Sequence, residues 1–130
     1  MQTFLPYKTF YDSLDCLDYR RLGKQRVEAM QILNCLEGKS NGWKNHPAVK
    51  MWSGYEEALK VYHNIAITLW KARGYKNTMK LKKVGKWIYP HWLNDDFCKS
   101  HRSNLLRKFP EHYGKFDWNV SDDLPYVWPV

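Results

Sequence analysis

The 130 residues suffice for one domain with a real core and are too few for two comfortable ones. Hydrophobic residues make up 44% and aromatics 16%, which excludes a disordered chain, and seven Trp with nine Tyr leave rings to spare for an interface. A net charge of +8 points to polyanions, whether nucleic acid, anionic membrane or acidic proteins, and no apolar run approaches the roughly 20 residues of a membrane span.

The opening Phe4-Leu5-Pro6 is extended, because Pro6 biases its predecessor away from the helical region. Nothing in Met1–Pro6 resembles the basic and apolar regions of a signal peptide, so a cytoplasmic protein is expected. Thr9 caps a short helix carrying Phe10, Leu14 and Leu17. A second helix follows, with Leu22, Arg26, Val27, Ala29, Met30, Leu33 and Leu36 at helical spacing, ended by Gly38. A polar loop around Trp43 leads to Pro47 at a first helical position. Ser53 and Glu56 fit a capping box for a long helix with Leu59, Tyr62, Ala66, Leu69 and Trp70, stopped by Gly74.

From Tyr75 to Leu93 the periodicity fails, and lysines alternate with apolar residues in a basic-aromatic loop. Asn94 to Asp96 offer caps for a last helix that breaks before Pro110. The aromatic tail from Asp122 to Pro129 is predicted to pack across the helices. Strand signals are almost absent, so the fold class is all-α, a compact helical bundle spanning residues 1–130 as one domain. Cys16, Cys35 and Cys98 are odd in number and far apart, which predicts reduced thiols. Cys98 with His101 would be half a zinc site, but no second half appears at a recognised spacing. The expected chemistry therefore uses no metal and no cofactor.

Three clusters carry candidate chemistry. Arg20, Arg21, Lys24 and Arg26 place four cations within seven positions at a helix N-terminus, where anions are already favoured. Glu28 answers them, either as a general acid/base or as a simple counter-charge. The loop residues Lys44 and His46 precede Pro47, and His46 either touches a phosphate or base or caps the helix. The third cluster joins the lysine-rich loop, with Lys82 and Lys83, to His101, Arg102 and Arg107. Cations interleaved with rings suit phosphate binding and base stacking.

At these clusters the chain resembles a known family. The runs LDYRRLGKQRVE from Leu17, WKNHPAVKMW from Trp43 and SHRSNLLRK from Ser100, with PEHY from Pro110 and the Leu124–Pro129 tail, are similar to the small bacterial and phage branch of the pyrimidine-dimer DNA glycosylase or endonuclease V family. The resemblance implies a compact all-α fold and a bifunctional attack on cyclobutane pyrimidine dimers in duplex DNA. An amine attacks the deoxyribose C1′, the base leaves, and a Schiff base eliminates the 3′ phosphate. Glu28 is the counterpart of the family's glutamate, and Arg26, Arg21 and Lys24 would hold phosphates. The family's nucleophile is the α-amine of a small residue exposed by removal of the initiator methionine, whereas here Gln2 follows Met1. Met1, Gln2 after unusual processing, or Lys24 then supplies the amine, or the enzyme is monofunctional with no covalent step. As classes, α-amines titrate at about pH 8 and lysines at about 10.4, which favours an α-amine at neutral pH. Damaged duplex DNA is the expected partner of a monomer. Two other functions fit the residues: a non-enzymatic DNA-binding module, for which Glu28 is dispensable, and a glycosylase for another modified base.

Overall fold

The computed structural model describes residues 1–130 as six helices with no strand, in the order α1 (Phe10–Asp15), α2 (Tyr19–Leu36), α3 (Pro47–Trp52), α4 (Glu56–Ala72), α5 (Asp95–Lys108) and α6 (Pro110–Tyr113), followed by one 3₁₀ turn over Gly114–Phe116. Each start has a local cause. The Thr9 hydroxyl accepts the Asp12 N–H, Asp18 accepts that of Arg21, and Asn94 accepts that of Phe97, the side-chain caps that free helical N–H groups require. Pro47 stands at the first turn of α3. Gly38 and Gly74, just beyond α2 and α4, have φ of +78° and +92°, a left-handed stop that glycine adopts without strain.

The expected Ser53–Glu56 capping box does not form. Ser53 closes α3, Tyr55 precedes α4 without a side-chain cap, and the Glu56 carboxylate accepts the Gly54 N–H instead. The tight turn at Gly54, φ +87°, consumes the residues that the capping box needed. Pro110 opens the short helix α6 rather than only ending α5.

Helices α2 and α4 run antiparallel and form the centre. Leu22, Ala29, Ile32 and Leu33 meet Leu59, Tyr62, Ala66 and Leu69 in a single buried cluster, to which Phe10, Trp52, Phe97 and Leu105 also belong. Gly23 packs directly under Trp70, where a Cβ would lie 2.9 Å from the ring. No helix is long and apolar enough to cross a membrane.

Two extended segments complete the molecule. Gln2 to Pro6 are buried although they belong to no helix or sheet, so their backbone groups must find side-chain partners. The Phe4 N–H donates to Gln25 Oε1 at 2.9 Å and the Leu5 N–H to His101 Nδ1 at 3.0 Å. The Arg102 Nε–H donates to the Pro6 carbonyl at 2.7 Å. Residues 75–92 form a strap running back along α4. Asn64 brackets Lys82 with two hydrogen bonds, and Glu57 accepts the Gly85 N–H at 2.8 Å. The tail crosses α5, as expected, with the Leu124 and Val127 N–H groups donating to Ser103 and Ser100.

Candidate nucleic-acid cleft and its central carboxylate

One face of α2 forms the floor of a cleft of about 1160 Å³. Its walls are the amino terminus, His46 before α3, Trp70 of α4, Lys108 at the end of α5, and Tyr126 and Trp128 of the tail. The space exceeds that of an ordinary small-molecule pocket and suits a nucleotide turned out of a duplex.

Glu28 is the one carboxylate in the lining. Its Oε2 accepts the Gln2 backbone N–H at 3.4 Å and the Gln25 Nε2–H at 3.0 Å. It takes part in none of the salt bridges, which join Lys8 to Asp95, Arg21 to Asp18, Lys39 to Glu37 and Lys60 to Glu57. The carboxylate is therefore not spent as a direct counter-ion of the surrounding cations. Gln25 fixes it from behind. That buried amide also accepts from the Phe4 N–H and from the Tyr62 hydroxyl, 2.6 Å away. Burial, then the charge of Glu28, raises the Tyr62 phenol well above its ordinary value, so it stays a protonated donor. Tyr62, Gln25 and Phe4 thus lock the position of Glu28 relative to the amino terminus.

The two ends of the cleft differ in charge. At the α2 start, Arg20, Arg21 and Lys24 meet Lys108. Burial of Asp18 opposes its ionisation, yet hydrogen bonds from Tyr113 and Arg21 outweigh this and hold its carboxyl below the ordinary range. Asp18 in turn anchors one Arg21 nitrogen at 3.1 Å. Burial, then the charges of Arg21, Arg107 and Lys24, pulls Lys108 below the usual lysine value, against the opposing pull of Glu28. Cations that destabilise one another this way form an anion-binding site.

At the other end aromatic rings gather near the amino terminus. His46 Nδ1 accepts the Ala48 N–H at 3.0 Å, and the ring meets Trp43 and Trp128 edge-on at 5.9 and 5.8 Å. Burial, then the amino-terminal charge, lowers its pKa, with Glu28 opposing.

Of the residues singled out from the sequence, Met1, Gln2, Arg20, Arg21, Lys24, Arg26, Glu28 and His46 converge on this cleft, while Lys44, Lys82, Lys83, His101, Arg102 and Arg107 do not line it. His101 requires correction as a DNA contact. It is fully buried, because the Leu5 N–H needs an acceptor inside the core, and burial drops its pKa to about 3. Arg102 is turned inward to the Pro6 carbonyl. Arg107 donates to the Asp122 carbonyl and to Asn104. Arg26 does reach the cleft but is tied in place, its guanidinium 4.5 Å from the Trp70 ring centre and bonded to Asn77. The apolar stripe of α2 also shifts, with Val27 exposed on the cleft floor and Gln25 buried in its stead.

Lys108, which the sequence groups with Arg107 in the third basic cluster, does line the cleft. Sequence reasoning missed Gln25, Trp70, Tyr126 and Trp128 as parts of the site. A glutamine three positions before Glu28 on the buried side of α2 was the one local signal. The other three come from a distant helix and the tail.

The fold and cleft define a helical protein with a strongly cationic cleft in which Glu28 is the single carboxylate. The chain belongs to the pyrimidine dimer DNA glycosylase family, whose model matches residues 1–83. Its function is thereby that of a DNA repair glycosylase with DNA as substrate. The matched span contains every cleft residue except Lys108, Tyr126 and Trp128. No curated protein and no solved structure matches the chain.

Proposed function

We propose that the protein is a bifunctional glycosylase and abasic-site lyase acting on cyclobutane pyrimidine dimers in duplex DNA, with its amino-terminal α-amine as nucleophile and Glu28 as acid/base. The observation that carries this reading is the buried Gln2–Pro6 segment, whose Phe4 and Leu5 N–H groups are taken up by Gln25 and His101, with the amino terminus lining the cleft together with Glu28. A sequence that buries an irregular segment this firmly uses it to place what lies at its end. Lys24, exposed among the cations of the α2 start, suits phosphate contact better than nucleophilic attack.

The chemistry follows from these positions. The amine lone pair forms a bond to C1′ as the C1′–N1 bond breaks, and the glycosidic electron pair leaves on the pyrimidine. Glu28 takes the proton that the amine loses and returns it to the departing base. The amine nitrogen then drives out O4′, to which Glu28 passes the second N–H proton, and the ring opens to an imine. Loss of a C2′ proton expels the 3′ phosphate, and water hydrolyses the imine to regenerate the amine. Arg20, Arg21, Lys24 and Lys108 hold the phosphates that flank the reacting sugar. The Gln2 nitrogen already touches Glu28. Met1 therefore extends one residue further into the cleft, and its removal would set the new amine directly on the carboxylate.

Borohydride reduction during reaction with a dimer-containing duplex tests the proposal. A covalent adduct is expected on the amino-terminal peptide, located by mass spectrometry at residue 1 or 2. Neither adduct nor glycosidic cleavage would overturn it. An adduct on Lys24 would reassign the nucleophile. A DNA-binding module without catalysis predicts that Glu28→Gln changes nothing measurable, and a panel of oxidised and alkylated bases separates the dimer reading from other lesions.

A further inference from the structure

Resting on the glycosylase reading, we infer that His46 is the leaving-group donor, giving a hydrogen bond from its Nε2–H to O2 of the pyrimidine whose glycosidic bond breaks. Three observations carry it. First, the tautomer is set by the fold, because His46 Nδ1 accepts the Ala48 N–H that opens α3. That nitrogen keeps its lone pair, the ring proton lies on Nε2, and the Nε2 edge is left for the cleft that the ring lines. Second, burial, then the amino-terminal charge, shifts the imidazole toward its neutral form, with Glu28 opposing. A neutral donor between the edges of Trp43 and Trp128 suits an uncharged base. Phosphates are served by the opposite end, where Lys108 feels Arg21, Arg107 and Lys24. Third, His46, Glu28 and Lys108 line one cleft, so a ring, a carboxylate and a cation are available together to the base, sugar and phosphate of one nucleotide.

The chemistry of the lesion makes the donor specific. In a cyclobutane dimer C5 and C6 are saturated, so the electron pair left on N1 delocalises onto the neighbouring O2 and not through the ring to O4. A donor aimed at O2 therefore meets charge that develops in the transition state. No proton needs to leave His46, and the helix cap stays intact throughout.

The same geometry supplies a clean perturbation. Asparagine is among the best helix caps, so His46→Asn keeps an acceptor for the Ala48 N–H and removes the Nε2 donor. Single-turnover rates are measured on two duplexes, one with a defined thymine dimer and one with a preformed abasic site. Because the cut base stays tethered through its cyclobutane bonds, glycosidic cleavage is scored as thymine freed by photoreversal. Glycosidic cleavage is expected to slow by on the order of 100-fold, whereas strand cleavage at the abasic site, which has no base to lose, keeps its wild-type rate. His46→Gln, whose amide reaches the Nε2 position, should recover part of the glycosidic rate. Equal slowing on both duplexes would overturn the inference, since His46 would then serve the sugar-phosphate or the fold. Unchanged rates on both would overturn it as well. A wild-type protein that cleaves neither duplex would overturn the glycosylase reading itself, a result distinct from either.

Discussion

Acid should unfold this protein by way of His101. Burial drops the pKa of the folded imidazole to about 3 against an ordinary 6.5; its neutral form accepts the Leu5 N–H, and Nε2 has no hydrogen-bond partner in the core. The unfolded chain takes up a proton at this ring from pH 6.5 downward while the folded chain does not, so stability falls as pH falls. The loss begins near pH 6.5, runs at about 1.4 kcal/mol per pH unit, and levels off below pH 3. Between pH 7 and pH 5 the difference from His101 alone is about 2 kcal/mol, a large part of the stability of a small domain. His63 and His46 are shifted in the same direction and steepen the decline. Urea denaturation followed by tryptophan fluorescence at pH 7, 6 and 5 measures it directly. His101→Asn should be less stable at pH 7 yet show a flatter pH dependence. Coincident wild-type midpoints at pH 7 and 5, or an unchanged slope in the variant, would refute the reasoning.

Glu28→Gln should slow glycosidic cleavage by at least ~100-fold, the usual contribution of a general acid/base, while affinity for the damaged duplex changes little, as read by single-turnover kinetics beside a binding titration. Gly23→Ala places a methyl group 2.9 Å from the Trp70 ring; overpacking this contact between α2 and α4 should cost about 1–3 kcal/mol in thermal denaturation. Arg26→Ala should lower both the melting temperature and DNA affinity, because the guanidinium ties α2 to Trp70 and Asn77. Arg26→Lys should fail to restore either, since lysine lacks the planar fork. Lys24→Ala should leave melting unchanged and reduce the salt dependence of DNA binding by about one counter-ion.

Local signals account for what was legible along the chain. Thr9, Pro47 and Asn94 mark helix starts because a cap or a fixed φ acts within one turn. Gly38 and Gly74 mark ends for the same reason, as their left-handed conformations belong to single residues. The basic run from Arg20 to Arg26 with Glu28 lies on one helix, so their convergence on one face follows from periodicity. The cluster drawn from His101, Arg102 and Arg107 dissolved because helical position says nothing about which face is covered. His101 and Arg102 face the amino-terminal segment, and Arg107 faces the tail.

The amino-acid order by itself determined the all-helical class, most of the helix boundaries, the cationic face of α2 and the carboxylate within it, since each depends on neighbours a few residues apart. Only the tertiary structure decided that Gln2–Pro6 is buried, that Gln25 and Tyr62 hold Glu28 beside the amino terminus, and that Trp70, Lys108, Tyr126 and Trp128 close the cleft. These pairings join positions dozens of residues apart, and they arise because a buried segment without secondary structure must find its hydrogen-bond partners wherever the packed helices present them.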